Sequence, residues 1–294
     1  MNTRRHFFQV SAAMAAAARP AEAQPLPSIR LGKYAISRLI LGSNPFYGYS
    51  HSSRALDRHM REWSTPENVC GALQEAQRNS ITAFQTNSDE RAVSDIARYR
   101  AAGGSLQVIA LVRGGPEEAV KAMQPIGVVH HGELTDAAFR QRRMDAVREF
   151  TRHARQAGVL VGVSTHKPEV IEYIEERAWD VDFYMGCVYN RTRTPDEIRK
   201  LLGELPLPAG ELYLEKDPER MFAVMRQTRK PCLAFKILAA GRAAGSPSLI
   251  DAAFQAAFAG IKPTDAVIVG AYPRFANEIE ENAARARRYG AASL

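Results

Sequence analysis

The sequence predicts a (β/α)8 TIM barrel with an N-terminal β-hairpin, and three observations carry that prediction. A short run rich in β-branched residues returns after almost every helical stretch, eight times along the chain. Each run is separated from the next by enough residues for a helix, so neighbouring strands pair parallel through crossovers rather than as hairpins. The length, 294 residues, suits one barrel of roughly 250 residues. An open doubly wound sheet shares the alternation, but no glycine-rich dinucleotide fingerprint follows the first run and no linker divides the chain.

The eight runs are residues 38–42, 81–86, 106–112, 126–131, 159–166, 182–189, 232–238 and 266–271. Between them, Thr65-Pro66, Thr135-Asp136, Thr194-Pro195, Asp217-Pro218 and Ser246-Pro247 read as helix starts, with a capping side chain or a proline in the first turn. The second of these predicts one long helix reaching Ala157. Gly103-Gly104, Gly158 and Gly260 supply stops. Residues 29–38 read as a short hairpin placed to plug the bottom of the barrel.

Residues 1–23 follow a different logic. Arg4-Arg5 precedes Phe7-Phe8, a weakly apolar run from Val10 to Ala18, and Ala21-Glu-Ala23, a small-residue cleavage pattern. This reads as a twin-arginine (Tat) signal peptide, so the expected organisation is a signal at 1–23 and one barrel domain at 24–294. The Tat translocase is then a partner and the destination is the periplasm or another exported location. The apolar run is about nine residues, far short of the roughly 20 that span a bilayer, and no transmembrane segment is predicted.

Removing the signal takes away three arginines and one glutamate, which lowers the net charge from +7 to +5. The remaining basic residues alternate with acids, as in residues 140–149, so no nucleic-acid partner is expected. Cys70, Cys187 and Cys232 have no metal-ligand spacing; they read as small buried side chains, and no metal is predicted.

Ile29-Arg-Leu-Gly-Lys33, followed by Ile36-Ser-Arg-Leu-Ile-Leu-Gly-Ser-Asn-Pro-Phe46, resembles the opening hairpin and first strand of aldo-keto reductases. Ile81-Thr-Ala-Phe84, Val161-Gly-Val-Ser164 and Ala266-Val-Ile-Val-Gly270 extend the resemblance along the chain. It implies a barrel, a small carbonyl substrate and NAD(P)H, with Glu281 and Asn282 as cofactor-binding residues and Arg274 in place of the usual phosphate grip. The family reduces carbonyls with a Tyr, Asp, Lys and His. Here Gln85 stands for the Asp, no Tyr follows it, and Arg113 stands for the Lys. Only the histidine has a counterpart, at His130-His131. An arginine is always protonated and cannot replace lysine in a proton relay, so the same reduction is not expected.

Functional groups of such barrels sit at the C-terminal ends of the strands. Asn44, Tyr47, Gln85, Arg113, His130 and Asn190 are therefore predicted to bind substrate. Lys236, His131 and His166 are predicted to be catalytic. In Cys232-Leu-Ala-Phe-Lys-Ile-Leu238, alternation is read as packing Leu233, Phe235 and Ile237 under helices and turning Lys236 into the barrel. A lysine there serves as imine nucleophile, oxyanion binder or ion-pair partner of Glu133 or Glu215. The adjacent rings of His130 and His131 point to opposite faces of their strand. Phe46, Tyr47 and Tyr49 form an aromatic loop after the first strand, and the long segment from Tyr49 to Trp63 reads as a substrate lid.

The expected function is an exported barrel enzyme acting on a small polar carbonyl compound or carbohydrate. Two alternatives stay open: an NAD(P)H-dependent oxidoreductase with Tyr47 or Tyr189 as a rebuilt proton donor, and a non-catalytic periplasmic ligand-binding protein.

Overall fold

The computed structural model describes residues 24–207 and 211–291. The export signal expected at residues 1–23 lies outside the described residues. The chain enters through an antiparallel hairpin, β1 (Ser28–Leu31) and β2 (Tyr34–Ser37). Eight parallel strands then close a barrel: β3 (Leu39–Gly42), β4 (Ala83–Asn87), β5 (Gln107–Val112), β6 (Gly127–His130), β7 (Leu160–Thr165), β8 (Phe183–Cys187), β9 (Cys232–Phe235) and β10 (Ala266–Gly270). They follow sequence order around the ring, and β10 pairs with β3 to close it.

Helices surround the barrel. α1 (Arg54–Trp63) and α2 (Pro66–Arg78) follow β3, α3 (Glu90–Ala101) follows β4, and α4 (Pro116–Met123) follows β5. α5 (Gly132–Arg140) and α6 (Asp145–Gln156) follow β6, and α7 (Pro168–Glu176) follows β7. α8 (Pro195–Leu202) and α9 (Asp217–Gln227) follow β8, α10 (Pro247–Gly260) follows β9, and α11 (Glu278–Tyr289) ends the barrel. The side chains of Thr65, Thr194 and Ser246 cap α2, α8 and α10 as their spacing predicts, and Thr194 with Glu197 forms a full capping box.

Thr135-Asp136 behaves differently. The expected single helix is two, α5 and α6, and Thr135 and Asp136 lie buried inside the first. Their oxygens are drawn into tertiary hydrogen bonds with His130, Thr165 and His166 rather than onto a helix N-terminus.

Strand alternation divides the core into two. Leu39, Leu41, Val108, Val128, Val161 and Val163 face the helices. Ile40, Ala83, Ile109, Val129, Phe183 and Met185 fill the barrel interior. Gly162 makes room for this filling, because a Cβ there would lie 2.6 Å from the Phe183 ring. Ile29, Leu31 and Ile36 of the hairpin join the interior cluster and seal its lower end.

β9 corrects one reading of the sequence. Leu233 and Phe235 belong to the barrel interior, whereas Cys232 and Ala234 face the helices. Regular alternation would therefore turn Lys236 outward. Instead the strand ends at Phe235, and Lys236 adopts a left-handed backbone, φ 61°. That turn returns its side chain to the mouth, where it lines one cavity with Phe235 and His166.

Arg38 locks the ring at the bottom. It is buried, and its guanidinium donates to the carbonyl oxygens of Asp265 at 2.9 Å, Gly290 at 2.7 Å and Lys262 at 3.0 Å. These bonds tie the first barrel strand to the segment entering the last one and to the end of α11. An Arg38→Ala variant leaves three carbonyls without their charged donor; we expect a loss of about 3 kcal/mol. Urea unfolding checks this, and a midpoint equal to wild type would contradict it.

Candidate active site at the barrel mouth

Each strand delivers its last inward residue to the same end of the barrel. Continuing the alternation, Asn44 follows β3, Gln85 and Asn87 close β4, Arg113 follows β5, His131 follows β6 and His166 follows β7. With Lys236 they line a cavity of about 330 Å³ at the mouth. The structure therefore brings together Lys236, His131, His166, Arg113, Asn44 and Gln85 of the predicted site.

The two histidines are prepared differently. His166 is buried, and its Nδ1–H donates to Asp136 at 2.8 Å. Asp136 also accepts from the Thr165 hydroxyl at 2.5 Å, the His166 backbone N–H at 3.2 Å and the Thr192 hydroxyl at 3.1 Å. Burial would raise this carboxyl, but these bonds hold its pKa below the ordinary range. Burial lowers the pKa of His166 although Asp136 opposes the shift, so the ring is neutral and Nε2 is a free lone pair toward the cavity. His131 has the opposite tautomer: its Nδ1 accepts the Glu133 N–H at 3.3 Å, which leaves Nε2–H as a donor. Burial, reinforced by Arg113, lowers it to about 4.

The acids of the mouth are engaged by other cations. Glu133 is paired with Arg113 at 3.1 Å and Arg191 at 2.7 Å. Glu211 takes Arg191 at 3.1 Å, His51 at 2.7 Å and the Tyr213 hydroxyl at 2.7 Å; against its burial, these partners hold it at about 2. Arg191 is only 8% exposed, and its Nε finds no partner among the described residues. Lys236 has no counter-ion or hydrogen-bond partner on its ammonium among the described residues. Burial, with Arg191 nearby, lowers it to about 8, and the ion pair to Glu133 or Glu215 considered above does not form.

Other predicted residues sit elsewhere. His130 faces the helices: its Nδ1 lies 2.7 Å from the Thr135 hydroxyl, its ring meets Phe150 edge-on at 5.0 Å, and it lines an outer cleft between α5 and α6. Tyr47 packs against the helix-side core, with its hydroxyl buried near Thr86 and Asp95. Asn190 is held by its backbone to Asp217 and Arg193, outside the cavity. Tyr189 packs against Tyr213 at 5.3 Å and does not line the cavity. Tyr49 does line it. The expected lid is largely α1, fixed to the rim by Tyr272, whose ring meets His59 edge-on at 5.8 Å and Trp63 at 5.5 Å.

A second cavity, about 300 Å³, adjoins the first between β3, β9 and β10. It shares Asn44, Tyr49, His51, Gln85, Phe235 and Lys236 with the mouth. These residues do not fit a dinucleotide. Glu278 lines the far end, with its carboxylate accepting the Tyr272 N–H at 2.7 Å, and no arginine lines the cavity among the described residues. A carboxylate there repels a diphosphate. Arg274 instead lies over the exposed Phe275 ring at 5.4 Å, Glu281 pairs with Arg285 at 3.3 Å, and Asn282 is buried in α11.

Asp136, Arg191, His51 and Glu211 are the mouth residues that sequence reasoning missed. Asp136 carried a helix-start pattern, and the other three lie in loops whose path no periodicity reports.

The chain matches no protein-family model, and no curated protein matches it in sequence. Its fold is similar to that of the aldo-keto reductase AKR11C1 from Bacillus halodurans, in its holo form: 11% identity over 88% of this chain and 90% of that one, TM-score 0.55. A Gox0644 variant solved in complex with NADPH gives 12% identity over 93% and 90%, TM-score 0.50. The glycerol dehydrogenase AKR11B4 from Gluconobacter oxydans gives 10% identity over 91% and 97%, TM-score 0.48. At these identities the likeness is one of fold.

The neutral imidazoles set a pH dependence. His130 and His131 titrate at about 4 in the folded chain, against about 6.5 when unfolded. Between these values the unfolded chain binds more protons, so stability is full above about pH 6.5 and falls as pH drops toward 4. Asp136 and Glu211, held low, add a loss in the same direction below about pH 4. Urea midpoints measured from pH 7.5 to 4.5 should decline steadily below 6.5; a flat profile would contradict neutral buried rings.

Proposed function

We propose that the chain is an exported enzyme acting on the carbonyl group of a small polar molecule or carbohydrate, with Lys236 as the amine nucleophile. The observation that carries this reading is an unpaired lysine at the barrel mouth, placed by a left-handed turn among groups of assigned proton state. A lysine lowered to about 8 has an appreciable neutral fraction at neutral pH.

The chemistry follows from the tautomers. The Nζ lone pair attacks the carbonyl carbon, a C–N bond forms, and the carbonyl π pair moves to oxygen. His131 Nε2–H faces the same cavity and stabilises that oxygen by donating a hydrogen bond. His166 Nε2 accepts the proton released from nitrogen, while Asp136 on its other face stabilises the imidazolium. The His166 imidazolium passes the nitrogen's protons on to the oxygen, and loss of that oxygen as water gives an imine. Arg113, Asn44 and Gln85 orient the polar remainder of the substrate by hydrogen bonds.

Incubation with glyceraldehyde, dihydroxyacetone or pyruvate, followed by borohydride and peptide mapping, tests this. We expect a reduced adduct on the peptide carrying Lys236 and at least a tenfold loss of total trapping in Lys236→Ala. A Lys236→Ala protein that traps as well as wild type would remove the reading. An NAD(P)H-dependent reductase is less well supported, because neither Tyr47 nor Tyr189, the two candidate proton donors, lines the cavity. A non-catalytic binder would hold the same ligands without turnover in either protein.

Export rests on the residues of the leader: Arg4-Arg5, the apolar run and Ala21-Glu-Ala23. Replacing both arginines by lysine should retain the protein in the cytoplasm. Cell fractionation checks this, and undiminished periplasmic protein would exclude the Tat route.

A further inference from the structure

We infer that the second cavity holds an apolar tail of the substrate, so that the substrate is an amphipathic carbonyl compound: a polar carbonyl head at the mouth, and an alkyl or aryl group between β3, β9 and β10. This rests on Lys236 being the reacting amine, and it names the class of molecule that the amine receives.

Four observations support it. The two cavities meet at Lys236, so a molecule whose carbonyl carbon lies at Nζ enters the second by simple extension. The walls beyond Lys236 include Pro45, Leu56, Met60, Ile237, Leu238 and Ile268, with Ser43, Ser50, Tyr272 and Glu278 as the polar members. Such a lining stabilises hydrocarbon and offers little to hydroxyl groups. The polar groups shared with the mouth, Asn44, His51 and Gln85, are gathered at the Lys236 end. The volume of about 300 Å³ is roughly twice that of a cavity known to bind benzene, at about 150 Å³.

The cavity is built into the backbone. Lys236, Ala239 and Ala240 all have left-handed φ, 61°, 48° and 52°, within one turn. L residues take this conformation at a cost, and it persists where surrounding bonds enforce it. Here Ala239 N–H donates to Lys236 O at 2.8 Å, and the N–H groups of Gly241 and Ala243 both donate to Leu238 O, at 2.9 and 3.2 Å. The turn aims the amine at the mouth with one end and walls the cavity with the other. Glu278 also lines this cavity; burial raises its pKa, and its carboxyl accepts the Tyr272 N–H at 2.7 Å.

The test separates the tail from the chemistry. Calorimetry with 1-hexanol and 1-octanol, which form no imine, reads the cavity alone. Burying two further methylenes at about 0.8 kcal/mol each predicts about fifteenfold tighter binding of octanol. Ala244→Trp, at the exposed rim of the cavity, should weaken octanol at least tenfold, with circular dichroism verifying the fold. Leu56→Asn, on the opposite wall, should weaken it severalfold. Lys236→Ala should still bind octanol. In the second arm, butanal, hexanal and octanal are trapped on Lys236 with cyanoborohydride. Each forms an imine with loss of water, and hydride from the reagent reduces it to a secondary amine. Half-saturating concentrations should fall with chain length. Equal binding of the two alcohols, or octanol affinity unchanged in both wall variants, overturns the inference. Trapping on Lys236 without length dependence overturns it while leaving the lysine chemistry standing. Length-dependent alcohol binding without trapping on Lys236 supports the apolar cavity and removes the proposed reaction.

Discussion

Closure of the barrel is the constraint on which the rest of the structure depends. Pairing of β10 with β3 turns eight strands into a ring, and Arg38 secures that seam by donating to three carbonyls at its lower end. Once the ring closes, a period of two residues decides everything above it. Ile40, Ala83, Ile109 and Val129 point inward, so two or four residues later Asn44, Gln85, Arg113 and His131 also point inward, at the level where apolar filling stops. Groups separated by long stretches of chain thus converge on one cavity without any local motif. The hairpin residues Ile29, Leu31 and Ile36 close the opposite end, which leaves the C-terminal mouth as the open end of the interior.

The charges at the mouth are arranged so that one of them stays uncommitted. Arg113 and Arg191 neutralise Glu133, and Arg191 with His51 neutralises Glu211. With its possible counter-ions already engaged, Lys236 is lowered chiefly by desolvation, which Glu211 and Glu133 only partly offset. The same burial keeps His131 and His166 neutral, and their hydrogen bonds fix opposite tautomers: a donor at Nε2 of one and an acceptor at Nε2 of the other. A donor, an acceptor and a free amine facing one small cavity form a complete set for carbonyl addition and dehydration. Gln85 and Arg113 line the same cavity beside this set.

The cavity beside Lys236 makes the same point from the side of binding. Its aliphatic lining, Leu56, Met60, Ile237, Leu238 and Ile268, suits hydrocarbon better than a phosphate. The fold is similar to that of an aldo-keto reductase, but the side chains decide what a cavity in it accepts.

Hydrophobic periodicity determined the barrel, because each strand carries its own two-residue alternation and several helices, α2, α8 and α10 among them, carry their own cap; all eight strands were legible on those grounds. It also placed Asn44, Gln85, Arg113, His131 and His166 at strand ends, since an inward position is fixed by counting from an apolar neighbour. Lys236 shows the limit of counting. Its strand was assigned the wrong face, and the residue reaches the mouth only because the chain turns left-handed after Phe235, a conformation enforced by the bonds of the turn that follows. Asp136, Arg191, His51 and Glu211 were decided by tertiary structure alone. A buried carboxylate selects its partner by what lies across the barrel wall, and a loop arginine selects its carboxylates by where two other loops end. Such contacts have no period, so the sequence determined the scaffold and the direction of most side chains, while three-dimensional packing decided which charges meet and which lysine is left free.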